Sequence, residues 1–439
     1  MNPARALLTL GFVLPAFGQY AGPAILSRGD APAAMEAPQI KFQPFLSVSA
    51  SYSTGLSGVA VVDTQGNLAN VSAYGVTLSG GISGSHSWLH THIGLDYHAS
   101  YTIYSNNSTY NSLNQALGFG LSHEFTRHIK FNLREALGWF SFSNPNVGLT
   151  ESVPFDPSQS AIPTSDFYYT RTIYSSTQAD LVIQKSTRLS FDLGGGLFIN
   201  RYASTALYGV TGEDAMGDFQ YRLSRRATIG ANYVFTHYSF TGILSSSFIH
   251  GASLTYAVRL SRTLEFSGYG GFMHAETKFI QSVPVDPNVS ALLGLTSTTA
   301  LAYHANWVPN FSGRLSKTFS RGVLYVAGGE TVTPGNGLFL TSRTASVVGG
   351  YGYTGLRRWS LGVAFSYTTA LSIGNVNGSY GNLGGSFSMS RSIGHSLSFV
   401  TSYAANQYRS PTFTRYNRLI YTGSVGIGWS PGAVPLRIW

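Results

Sequence analysis

The chain has 439 residues, only 10% of them charged, with 14% aromatic side chains, 50 Gly, no Cys and a formal net charge of +9. Ordinary soluble domains carry about 25% charge, and 27 Tyr, 27 Phe and 6 Trp provide more buriable surface than a disordered chain holds. No run of about 18 apolar residues follows the N-terminus, which excludes helical membrane spans, and without Cys there is no lipid anchor, disulfide or thiolate metal site.

In chain order, residues 1–18 come first. Arg5 gives a short positive region, Ala6 to Pro15 form an apolar stretch, and Ala16-Phe17-Gly18 sets small residues where a signal peptidase cuts, before Gln19. The segment reads as a secretory signal, followed by a periplasmic N-terminal extension over 19–41. That extension is too short for a globular plug. From Phe42 onward the dominant signal is period-two alternation, the mark of strands with two different faces. Leu89, Ile93, Leu95, Tyr97 and Tyr101 oppose His90, His92, Asp96 and His98. Leu361, Val363, Phe365 and Tyr367 oppose Ser360, Gly362, Ala364 and Ser366.

About 18 such segments follow, each near the 9–11 residues that cross a bilayer at a tilt. They are predicted at 42–55, 70–84, 88–104, 113–126, 129–142, 171–185, 188–200, 207–223, 226–238, 247–260, 263–275, 300–316, 322–332, 341–354, 357–368, 380–390, 394–405 and 416–430. Residues 431–439 form a tail or the end of the last strand. Connections alternate between short ones, such as Arg127-His128, Ser224-Arg225 and Ser261-Arg262, and long ones at 143–170, 276–299, 369–379 and 406–415. Both termini fall on the short-turn side. Pro309 and Glu135 are misfits. Pro309 suggests a bulge or a late strand start, and Glu135 falls on the apolar face, where a charge costs up to about 2–4 kcal/mol at mid-bilayer. Five of the six Trp lie at or just beyond a segment end, the depth amphipathic rings favour.

The alternation, turn asymmetry, signal segment and aromatic C-terminal Trp439 resemble a Gram-negative outer-membrane β-barrel of porin type. The resemblance covers Phe42 to Trp439 and is architectural. It implies an all-β, transmembrane, antiparallel up-and-down barrel over 42–430, in the bacterial outer membrane. It further implies contact with outer-membrane lipid and lipopolysaccharide, assembly by the barrel-assembly machinery, and room for a homo-oligomer.

The inward pattern supplies the candidate pore-lining residues Asp96, Glu124, Lys130, Arg134, Asp180, Asp192, Asp218, Arg222, Arg259 and Arg314. Acidic groups facing basic ones across a lumen would orient polar solutes and set ion selectivity. His90 and His92 are a weak candidate metal pair, because two ligands on one strand need others from neighbours. Ser152-Val153-Pro154-Phe155-Asp156-Pro157 recurs as Ser282-Val283-Pro284-Val285-Asp286-Pro287, which marks Asp156 and Asp286 as paired loop positions. His123, His128, His250, His304 and His395 are scattered without a nucleophile and orienting group at matching spacing, so catalysis is not expected. No cofactor fingerprint is present, and no Lys/Arg cluster offers a nucleic-acid footprint. The expected activity is passive diffusion of small polar solutes or ions. A closed structural or adhesive barrel, or an exporter of a linear polysaccharide, are the alternatives.

Overall fold

The computed structural model describes residues 41–56, 71–105, 110–140, 171–285, 297–431 (without 336, 354, 374–377, 395, 412–413, 415–416) and 434–435. Among them there is no helix, and one sheet contains every strand. In order these are β1 (Lys41–Ser53), β2 (Ala73–Ser87), β3 (Thr91–Tyr104), β4 (Ser112–Thr126), β5 (Ile129–Phe140) and β6 (Thr172–Gln184). There follow β7 (Leu189–Tyr202), β8 (Val210–Arg222), β9 (Ala227–Phe240), β10 (Ser246–Arg259), β11 (Leu264–Pro284) and β12 (Ser297–Phe319). The remainder are β13 (Gly322–Thr333), β14 (Ser342–Tyr353), β15 (Trp359–Ser372), β16 (Ser379–Ser392), β17 (Leu397–Arg409), β18 (Arg418–Trp429) and the two-residue β19 (Val434–Pro435). Each of the first 18 pairs antiparallel with its sequence neighbours, and β1 pairs with β18, from Leu46↔Trp429 to Ser53↔Thr422. The sheet is a closed 18-stranded barrel.

Carrying one position across every ladder in turn returns it to β1 displaced by about 22 residues, the shear of the barrel. With about 3.3 Å per residue and about 4.8 Å between strands, that shear tilts the strands by about 40° and gives a diameter of about 35 Å. An even shear is what alternation requires. The inner face of β18 meets the inner face of β1 at the seam, so one surface runs continuously around the outside.

That outer surface is the apolar one. On β1 and β2 the outward positions are Leu46, Val48, Tyr74, Val76 and Leu78, all exposed, while Ala73 and Thr77 are buried within. The same division runs through β7, where Leu193, Leu197 and Ile199 face out and Phe198 and Asn200 face in. Exposed Trp88 and Trp429 stand on the short-turn side, and exposed Trp139 on the other. A band of apolar side chains bounded by Trp is the surface a bilayer solvates.

Three departures from expectation have local causes. β11 and β12 run past 275 and start before 300, so half of the expected 276–299 loop continues the two strands, paired as far as Pro284↔Ser297. Pro309 sits in that ladder opposite Phe272 with no register shift. Pairing with β13 begins only at Phe311, so Pro309 lies where β12 is bonded on one side, a position strands tolerate. The chain after Trp429 is not a free tail: Val434 and Pro435 pair with Phe42 and Lys41, one residue out of step with β18. Pro431 lies in the gap. Glu135 does face outward, and Ser175 (3.2 Å) and Thr177 on β6 donate to its two carboxylate oxygens. Segments 1–18, 19–40 and 436–439 lie outside the described residues.

Candidate functional site: a two-faced lumen

Because inner and outer positions alternate along the strands, with a register shift between Glu124 and Thr126 at the β4–β5 turn, the face of each ionisable side chain follows from its register. Asp96, Glu124, Lys130, Arg134, Asp180, Asp192, Asp218, Arg222, Arg259 and Arg314 all fall on the inner face. Allowing for strand tilt, Asp96, Arg134, Asp180, Asp192, Asp218 and Arg314 occupy one level about a third of the way up the wall from the short turns. Glu124, Lys130, Arg222, Arg259 and Glu265 stand nearer the short turns.

The acidic arc spans three adjacent strands, β6, β7 and β8. Asp180 is opposite Asn132, whose Nδ2 donates to it at 2.6 Å. Asp192 and Asp218 are directly opposite each other on β7 and β8, and Asn232 Nδ2 donates to Asp218 at 2.9 Å. Two of the three carboxylates are thus fixed by amides, and Arg134 stands exposed at the edge of the arc on β5. Further round, Arg259 Nε donates to Glu265 at 2.7 Å, and the Arg314 guanidinium lies 5.5 Å over the Tyr325 ring. His98 Nε2 is 2.5 Å from Asp96 Oδ1, with Phe45 against the imidazole.

The opposite half of the lumen has another chemistry. From β14 round through the seam to β2, Ser, Thr, Gly and Ala predominate at the inward positions, including Ser346, Ser366, Ser388, Ser402, Ser424, Ser47 and Ser79, while Arg418 and Tyr408, directly opposite each other, are buried near the long-loop end. Several bond one another across strands, as Ser47 with Ser79 at 2.5 Å and Ser402 with Ser424 at 2.7 Å. Asp180, Asp192 and Asp218 share the β3–β12 arc with Lys130, Arg134, Arg222, Arg259 and Arg314, because the strands that carry them are consecutive in the chain.

Sequence reasoning missed the mouth. The β7–β8 connection (203–209) and the β13–β14 connection (334–341) turn inward at the long-loop end and meet, Tyr208 N–H donating to Gly337 O at 3.0 Å. Leu340 packs with Phe198, Val210, Tyr238, Phe240 and Ile249 of one wall. Leu338 and Leu207 pack with Tyr408 and Ile420 of the far wall, about ten strands away. Thr341 Oγ1 bonds Ser247 Oγ, and Ile373 N–H donates to Thr341 O at 3.0 Å. An apolar layer therefore crosses the lumen above the charged arc. The signal available was Leu338-Phe339-Leu340, an apolar run in a connection too short to bury it against its own strands.

His92 lies on the inner face, whereas His90 is exposed in the β2–β3 turn. Among the described residues no group of three or more His, Asp or Glu is arranged to hold a metal ion. Asp156 and Asp286 of the loop repeat lie outside the described residues.

No protein-family model matches the chain, and no curated protein matches it. Among solved structures it is similar to the ferric citrate transporter FecA, at 11% identity and a TM-score of 0.46, covering 89% of this chain and 64% of that one. It thus spans less than two thirds of FecA. It is also similar to Pseudomonas aeruginosa OpdQ, at 8% identity and a TM-score of 0.43, covering 91% and 98%. For the FrpB iron transporter from Neisseria meningitidis the values are 10%, 0.45, 92% and 70%. Likeness at this level says nothing about a solute.

Proposed function

We propose that the protein is an outer-membrane channel through which small polar solutes or ions pass by diffusion, exported by its N-terminal segment 1–18. The observation that carries this reading is the wet, charged wall inside an 18-stranded barrel, since a barrel of that size is wider than its inward side chains can fill. Arg134 is exposed although it faces inward, as a side chain in a water-filled lumen is. The acidic arc favours cations near it, and the inward loops set the bore. A closed structural barrel is the second reading, favoured by the apolar layer across the mouth.

Planar-bilayer recording separates the two. Purified protein should carry a steady single-channel current, and a variant lacking residues 335–340 should carry a larger one. Silence from both proteins would reject a channel. Current from the shortened variant alone would make the native barrel a closed one. Location is tested by single cysteines: one at Gly242, in the β9–β10 turn, should be labelled on intact cells, and one at Ser224 should not.

A further inference from the structure

The outer wall carries a constellation that the lumen does not use. On β9, His237 and Ser239 are alternate residues, so both point outward, about 6.6 Å apart along the strand. Glu213 on β8 is directly opposite His237, and its Oε1 is 3.0 Å from His237 Nδ1. A carboxylate there holds the Nδ1–H tautomer and leaves Nε2 as the free acceptor. The imidazole is stacked on Phe248 of β10, ring centroids 4.3 Å apart and nearly parallel, which fixes its plane. Ser239 is exposed, and among the described residues its Oγ has no hydrogen bond. A nucleophile, a base and a group orienting the base share one small patch, which is the arrangement of a serine hydrolase.

The surroundings specify a substrate. Ser239 is the penultimate residue of β9, so the patch sits at the long-loop boundary of the apolar band. Below it, toward the bilayer centre, a groove of about 460 Å³ opens in the lipid-facing wall. Its floor is Ala179, Gly195 and Ala215, its sides are Leu197 and Phe235, and Glu213 stands at its upper end. Thr211 and Ser246 lie directly opposite Ser239 on the two flanking strands, hydroxyl donors on either side of the nucleophile. Arg201, exposed on β7, donates through Nη2 to Thr211 Oγ1 at 3.4 Å and places a cation at headgroup depth. An apolar groove leading up to a nucleophile, with a cation above, fits a long-chain acyl ester of an anionic membrane lipid.

We propose that Ser239, His237 and Glu213 form an acyl-ester hydrolase site on the outer wall of the barrel, acting on lipids of the adjacent leaflet. Ser239 Oγ attacks the ester carbonyl carbon as its proton passes to His237 Nε2, and the Thr211 and Ser246 hydroxyls face the developing oxyanion. The C–O bond then breaks, and the lipid alcohol leaves with the proton from Nε2. A water molecule attacks the acyl-serine, again losing a proton to Nε2, and the fatty acid leaves as Oγ is reprotonated. The sum is ester plus water giving alcohol plus carboxylic acid, with no other reactant. This site does not depend on the channel reading.

The test is fatty-acid release, measured by mass spectrometry, from phosphatidylglycerol vesicles and separately from lipopolysaccharide vesicles containing the full-length protein. Release should occur in at least one arm, and the arm identifies the lipid class. Ser239→Ala and His237→Asn should each lower it at least about 100-fold, and Glu213→Gln by less. A fluorophosphonate probe should label Ser239 in the native protein and not in Ser239→Ala. All three side chains face the membrane side of the wall, so the barrel and its heat-modifiable migration in gels should be unchanged. No release in either arm, or release that Ser239→Ala leaves intact, would overturn the assignment.

Discussion

Glu135 is one strand away from two hydroxyl donors, Ser175 and Thr177, and all three face the bilayer. A carboxylate on that face is destabilising in proportion to its depth, so the hydroxyls replace part of the hydration that the lipid cannot give. Removing one donor leaves the acceptor underbonded, which costs about 1–3 kcal/mol. Thr177→Val should therefore lower the unfolding free energy by about that amount in urea titrations of vesicle-embedded protein. Adding Glu135→Leu to that variant should restore the stability, because with the charge gone the site becomes ordinary apolar wall. If Glu135→Leu proves as harmful as Thr177→Val, the carboxylate has some other role. Sequence alternation alone assigned Glu135 to the outer face. The identity of its donors was not legible, because they come from a strand 40 residues on and appear only once the register is known.

At the scale of elements, the β13–β14 connection is the piece whose conformation can be argued residue by residue. Gly335 and Gly337 have φ of 73° and 86°, a region that side-chain-bearing residues seldom enter. A Cβ on Gly337 would come within 2.6 Å of the Tyr202 ring, and one on Gly335 within 1.8 Å of Phe339 O. Gly337→Val should thus dislodge the loop from the mouth. The expected readout is a single-channel current several-fold larger, with the melting transition of the barrel nearly unchanged, since the strands keep all their ladders. An unchanged current would mean that this loop does not limit the bore. Strand existence was legible in the sequence because a period of two survives wherever one face is lipid and the other water. The loops were not, since an inward turn is decided by contacts with Tyr208, Ser247 and Tyr408, which belong to remote parts of the chain. The His237–Ser239 spacing was likewise visible, whereas the Glu213 that gives it meaning emerges only from the β8–β9 register.

For the whole molecule, the concentration of lumen carboxylates on β6, β7 and β8 makes selectivity a property of one arc of the wall. Replacing Asp180, Asp192 and Asp218 together with Asn removes three negative charges and keeps the shape, so the permeability ratio should move toward anions. A reversal-potential measurement under a salt gradient reads that shift directly. No shift would place the arc outside the conduction path. The feature with the widest reach is the seam. Thr54 N–H donates to Tyr421 O, a bond between residues 367 positions apart, and every contact of β1 with β18 is of that kind. The price of bringing such distant ends together is conformational entropy, and it falls due before any seam bond exists. A chain released early, at any point before β18, keeps two bare strand edges inviting pairing with another molecule. The barrel is therefore an all-or-nothing object in time as well as in space. Its last dozen paired residues decide whether the preceding seventeen strands become a stable protein or a seed for aggregation.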